Sequence, residues 1–136
     1  MQRLLLDTCA ALWLTSGAPM NGASRSAIAE SVQTNDVWVS PFAAWEVALL
    51  LSKGKLEWPI SARQWFDDLT ARPGFSLAPL DADVLVGSIE LPPGVHKDPA
   101  DRIMIATARR LDATLVTRDG PIEAYAALGH VRVLPC

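Results

Sequence analysis

Strand-like and helix-like segments alternate from end to end of this sequence. That alternation predicts an α/β protein: a three-layer α/β/α sandwich with a central parallel sheet and helices on both faces. Two observations reinforce it. The first strand candidate has contiguous rather than alternating apolar residues, the pattern of a strand buried on both faces. The helix candidates between strands carry their own start and stop residues. With 136 residues, 50% hydrophobic and 20% charged, the chain reads as one compact domain over residues 1–136.

The segments follow in order. "RLLLD" is a short buried strand and "TCAALWLTS" a helix that stops before the loop "GAPMNG". "SRSAIAESVQTN" is a helix with Ser24 as its expected N-cap, and "DVWVS" is the second strand. "SPFAAWEVALLLSKGKL" has the clearest punctuation: Ser40 as N-cap, Pro41 at the first helical position, Gly54 as the stop. A helix starts at Ser61, followed by the strand "FSLAPL" and a short helix in "DADVLVGSIELPP" broken by its prolines. "DPADRIMIATARRLD" is a long helix, "ATLVTRD" the fourth strand, "PIEAYAALG" a helix and "VRVLP" the last strand.

Composition excludes several classes. Apolar runs such as that around Val47–Leu51 are far short of the roughly 20 residues of a membrane span. Asp7 arrives too early for a signal-peptide core. Two cysteines at opposite ends, Cys9 and Cys136, fit a reducing cytoplasm better than a disulfide scaffold, with Cys9 expected as a small core residue. A net charge of −3 argues against a generic polyanion binder. Yet Lys53, Lys55, Lys97, Arg102 and Arg118 all fall near the segment ends that also carry acids.

Those acids hold the chemical signal. Asp7 follows three leucines, where an uncompensated carboxylate costs several kcal/mol. Either it caps a surface helix or it belongs to a polar site. Glu46 is the only ionisable residue from Pro41 through Leu51, in a helix expected to be buried on most sides. It is a partly buried functional carboxylate or a surface residue on a narrow polar stripe. In "HKDPADRIMIATA", Asp98 fits an N-cap ahead of Pro99, while Asp101 shares the core-side face of Ile105 and Ala108. Asp119, in "LVTRDGP", is either turn chemistry or a site acid, with the Thr117 hydroxyl nearby.

Asp7 and Asp119 end strands, at the carboxyl edge where α/β folds bind ligands. Two carboxylates about 4 Å apart repel by roughly 4 kcal/mol at an effective dielectric near 20. A cluster of four must take up protons or bind cations. His96 and His130 stand apart and no cysteine pair has zinc spacing, so all-oxygen ligands point to Mg²⁺ or Mn²⁺. Such a cation lowers the pKa of bound water and stabilises charge on a phosphate, which fits phosphodiester hydrolysis. Lys53, Lys55, Lys97, Arg102 and Arg118 are then candidate phosphate contacts.

In this order, "LLLDT", "SPFAAWEVALLLSKGKL", "LPPGVHKDPADRIMIATA" and "LVTRD" resemble a PIN domain over nearly the whole chain. The resemblance is strongest to VapC-type ribonuclease toxins of toxin–antitoxin pairs. It implies a PIN-like fold and a Mg²⁺- or Mn²⁺-dependent endoribonuclease. It also implies a homodimer neutralised by a VapB-type antitoxin whose C-terminal segment covers the active site. By that likeness Asp7, Glu46, Asp101 and Asp119 match the acidic metal site, Asp98 is an additional or substitute acid, and Thr8 and Thr117 support it. Trp13, Trp45 and Trp65 are candidates for the antitoxin groove, with core packing the alternative. Cys9 stands where relatives often have histidine, and Ala100 where an aromatic is usual. A haloacid-dehalogenase-type phosphatase requires a second Asp at position 9. A receiver-type phosphoacceptor requires paired acids after the first strand. The remaining alternative is a PIN-like binding module without catalysis.

Overall fold

A computed structural model describes residues 2–136. Its elements are β1 (Leu4–Leu6), α1 (Thr8–Ser16), α2 (Gly22–Val32), β2 (Val37–Val39), α3 (Pro41–Ser52) and α4 (Ala62–Thr70). They continue with β3 (Phe75–Leu77), α5 (Ala82–Ile89), α6 (Pro99–Leu111), β4 (Thr114–Thr117), α7 (Gly120–Ala127) and β5 (Arg132–Pro135). The five strands form one sheet in the order β3-β2-β1-β4-β5, every pair parallel. Right-handed crossovers put α1–α4 on one face and α5–α7 on the other. The contacts of α1 with α3, α3 with α4 and α5 with α6 agree. This is the three-layer sandwich that the alternation predicts.

β1 is central because its residues suit no other place. Leu4, Leu5 and Leu6 are wholly buried, paired with Val37–Val39 on one side and Thr114–Val116 on the other. Each such burial contributes roughly 1.5–3 kcal/mol. α6 is amphipathic: Met104, Ile105, Ala108 and Leu111 are buried, while Arg109 and Arg110 sit in its last turn, where the helix dipole favours cations.

Several helix ends follow the sequence. Ser40 caps α3 by accepting the Phe42 N–H (3.0 Å), with Pro41 first in the helix and Gly54 just past it at φ +68°. Ser61 caps α4 through the Gln64 N–H at 3.1 Å. Ser24 is not the cap of α2. Asn21 holds that place, accepting the Ser24 N–H at 2.8 Å and donating its amide to the Pro135 carbonyl at 2.9 Å. That second bond, to a residue at the far end of the chain, fixes Asn21 as the start.

α3 also departs from expectation. Only Ala43 and Val47 are buried in it, while Trp45 is 57% exposed and Leu49 lies at the surface. α1 and α4 cover one side of the helix. Its other side meets solvent, since hydrophobicity alone does not supply a partner within the chain.

Candidate metal centre

Chain topology makes the crevice. From β1 the strands proceed to β2 and β3; the chain then crosses back to lay β4 on the other side of β1. The carboxyl ends of β1 and β4 therefore flank the point where strand order reverses, where open α/β sheets bind ligands. Asp7 follows β1 directly, and Asp119 lies just beyond β4.

Asp7 caps a helix, but not at the surface. Its Oδ1 accepts the Ala10 N–H at 2.7 Å, capping α1, yet the residue is only 9% exposed. Its other oxygen accepts a short hydrogen bond from the Thr117 hydroxyl. That hydroxyl in turn accepts the Asp119 N–H at 3.1 Å. Asp119 caps α7 through the Ile122 N–H at 3.0 Å. Across the crevice the Thr8 hydroxyl donates to Glu46 Oε1 at 2.5 Å. Thr8 and Thr117, both buried, thus each orient one acid.

Asp98 and Asp101 come from the start of α6. Asp98 is its N-cap, accepting the Ala100 N–H at 2.9 Å. Asp7, Glu46, Asp98, Asp101 and Asp119 all line one cavity of about 410 Å³. Trp13, Met104, Ile122, Ala100 and Arg118 complete much of its wall. Cys9 also lines it and is exposed, not a core residue, because the first turn of α1 opens onto the crevice. Burial and the surrounding acids push its thiol up to about 11, so it stays protonated at neutral pH.

Electrostatics here are dominated by desolvation and crowding. Burial raises the Asp7 carboxyl above its ordinary range and the charge of Asp119 adds to this, while the Thr117 and Ala10 hydrogen bonds and Arg118 oppose it. Glu46 is raised by burial against its Thr8 hydrogen bond. Asp101 is pushed up to about 6 by burial, then by the charges of Asp119 and Asp98. A donor set of carboxylate oxygens that resist collective ionisation fits a hard divalent cation, which relieves the repulsion.

His96 does not stand alone. Its Nδ1 lies 3.3 Å from Asp101 Oδ2, and among the described residues His96, Asp98 and Asp101 offer donor atoms all within 4.8 Å of one another. The H-x-D-x-x-D spacing was the available signal, made visible only when the turn at Lys97 folds His96 back over α6. The candidate phosphate contacts divide. Arg118 lines the cavity, whereas Lys53, Lys55, Lys97 and Arg102 do not. Arg102 is turned away, its Nε donating to the His96 carbonyl at 2.9 Å. The tryptophans divide too: Trp65 is buried in the core, Trp13 walls the cavity and Trp45 faces solvent.

Comparison with known proteins agrees with this architecture. The chain is similar to VapBC2 from Rickettsia felis, solved bound to a promoter DNA fragment, at 15% identity and TM-score 0.72, covering 98% of each chain. DNA-bound VapBC from Salmonella typhimurium matches at 12% identity and TM-score 0.67, covering 99% of this chain and 98% of that one. A toxin–antitoxin complex from Klebsiella pneumoniae matches at 19% identity and TM-score 0.62, covering 96% and 95%. No curated protein matches the chain. The family model for the PIN domain spans residues 4–128, from β1 through the end of α7, taking in all five acids of the crevice; this chain belongs to the PIN domain family.

Proposed function

We propose that this protein is a Mg²⁺- or Mn²⁺-dependent endoribonuclease acting as the VapC-type toxin of a toxin–antitoxin pair. The observation that carries this reading is the convergence of acids from separate elements on one crevice at the switch point of the sheet. Asp7, Glu46, Asp101 and Asp119 would hold the cation, with Asp98 at the rim. A divalent cation held there supplies positive charge to a phosphate and lowers the pKa of water. Thr8 and Thr117 keep Glu46 and Asp7 in place by donating to their oxygens. Trp13, Met104 and Ile122 give the acids an apolar wall on part of the crevice, and charge interactions are stronger beside such surface than in open water.

The partners belong to the same proposal. Likeness to a toxin–antitoxin complex supports pairing with a VapB-type antitoxin. The exposed Trp45 and, separately, the apolar recess formed by Trp58, Ile60 and the rim of the largely buried Trp65 offer an antitoxin segment apolar surface. The exposed stripe Leu85, Val86 and Ile89 on α5 supports a homodimer. Among the described residues, no helix is long and apolar enough to cross a membrane, and cytoplasmic residence is part of the proposal.

The test is cleavage of a labelled RNA mixture by purified, antitoxin-free protein in Mg²⁺ or Mn²⁺, beside a chelator control and a folded Asp7→Asn variant. Metal-dependent cutting that is lost in the variant supports the nuclease. Cutting that survives in Asp7→Asn identifies a contaminant. Absence of cutting, together with no Asp7-dependent metal binding, leaves the binding module.

A further inference from the structure

Among the described residues, five carboxylates line the crevice and Arg118 is the one basic side chain that lines it. A polyanionic chain entering such a cavity is repelled by every carboxylate whose charge a cation does not offset. It needs a positive group at the wall, beyond the acids. Arg118 is built to be one. Its Nε donates to the Cys136 carbonyl at 2.7 Å, and its guanidinium carbon lies 3.9 Å from the centre of the Trp13 ring. These two contacts fix both the position and the plane of the group. Among the described residues the guanidinium forms no ion pair, although Asp7 and Asp119 share the same cavity; its other hydrogen bond goes back to the Cys136 thiol. The result is a flat cation, fixed at its back and open along the edge that binds phosphate oxygens in pairs.

We propose that Arg118 is the fixed receptor for a backbone phosphate of the bound nucleic acid, and that Trp13 is the residue that positions it. The assignment rests on the nuclease reading and deepens it, naming one group that reads the substrate's charge independently of the cation. A lysine keeps the charge but not the plane, since an ammonium has neither the fork nor the stacking surface. Trp13 makes no claim on the substrate itself; it acts by keeping the guanidinium from swinging into solvent.

The probe is a fluorescently labelled single-stranded RNA oligonucleotide of mixed sequence. Its binding is followed by anisotropy across a salt series in Ca²⁺, with its integrity checked on a gel. Wild type is compared with Arg118→Ala, Arg118→Lys, Trp13→Leu and Trp13→Phe. Arg118→Ala is expected to weaken binding about tenfold at low salt and to flatten the plot of log affinity against log salt by about 0.7, one single-strand phosphate contact. Arg118→Lys keeps the wild-type slope with several-fold weaker binding. Trp13→Leu follows the lysine variant, and Trp13→Phe restores most of the affinity. An unchanged slope in Arg118→Ala overturns the proposal, as does full retention of affinity in Arg118→Lys. Should Trp13→Leu fail to fold, the two Arg118 variants decide the receptor and Trp13→Phe the positioning role. The two readings separate cleanly. Metal-dependent cutting with an Arg118-independent salt slope keeps the nuclease and removes the receptor. An Arg118-dependent slope without any cutting does the reverse.

Discussion

At the scale of single residues, Asp101 carries the most readable charge. Its carboxyl sits at about 6 in the fold against an ordinary value of 3.8. Between those values the folded chain keeps a proton that the unfolded chain has released. The group's contribution to stability is therefore full below the lower value and is lost as pH rises through the upper one. In chelator-treated protein, Asp101→Asn is expected to raise the unfolding midpoint at pH 7 and to flatten its decline between about pH 4 and 6, roughly the interval from the unfolded to the folded pKa. Thermal melts across that range check it, and an unaltered slope would remove Asp101 from the strained set. The same substitution should abolish the stabilising effect of Mn²⁺. The buried Asp101 carboxylate is thus a cost to the metal-free fold at neutral pH.

Among the elements, α2 offers the sharpest local test. Asn21 caps it and also reaches the carbonyl of Pro135 on β5. Asn21→Ala should cost about 1 kcal/mol, as N-cap losses typically do, with up to about another kcal/mol for the second bond. Denaturant melts measure this, and a cost under about 0.3 kcal/mol would contradict the capping role. Sequence reading chose Ser24 because capping preference is local and Asn and Ser rank alike. The bond that settled the matter spans 114 positions. Ser40, Pro41, Gly54 and Ser61 were legible because their partners lie within one turn. Asp7, Glu46, Asp101 and Asp119 were legible as candidate site acids from their apolar surroundings or their place at a strand end, whereas Asp98 read as a helix cap and joined them only through the family resemblance. His96 was not legible, because its H-x-D-x-x-D spacing gains meaning only through the turn that brings it to Asp101. Nor was the exposed side of α3, whose composition reads the same whether its cover is this chain or another.

For the whole molecule, the site is a joint between distant segments, and its occupancy should be felt globally. A cation at one hundred times its dissociation constant adds about 2.7 kcal/mol to the fold. For a chain of this size that is a rise in unfolding midpoint on the order of 10 °C. Calorimetry with and without millimolar Mn²⁺ should show it, and Asp7→Asn should erase it. A midpoint indifferent to Mg²⁺ and Mn²⁺ would count against a cation in the crevice. The strand order has a consequence in time as well. β1 is flanked by β4, and Asp7 takes its hydroxyl donor from Thr117, a neighbour 110 positions later. A ribosome emits residues at about 5–20 per second, so Asp7 and Glu46 emerge well ahead of their counterparts. Until β4 leaves the exit tunnel, β1 has an open side and Asp119 is missing from the crevice. A nascent chain therefore carries an incomplete set of acids until β4 and the residues just beyond it have emerged.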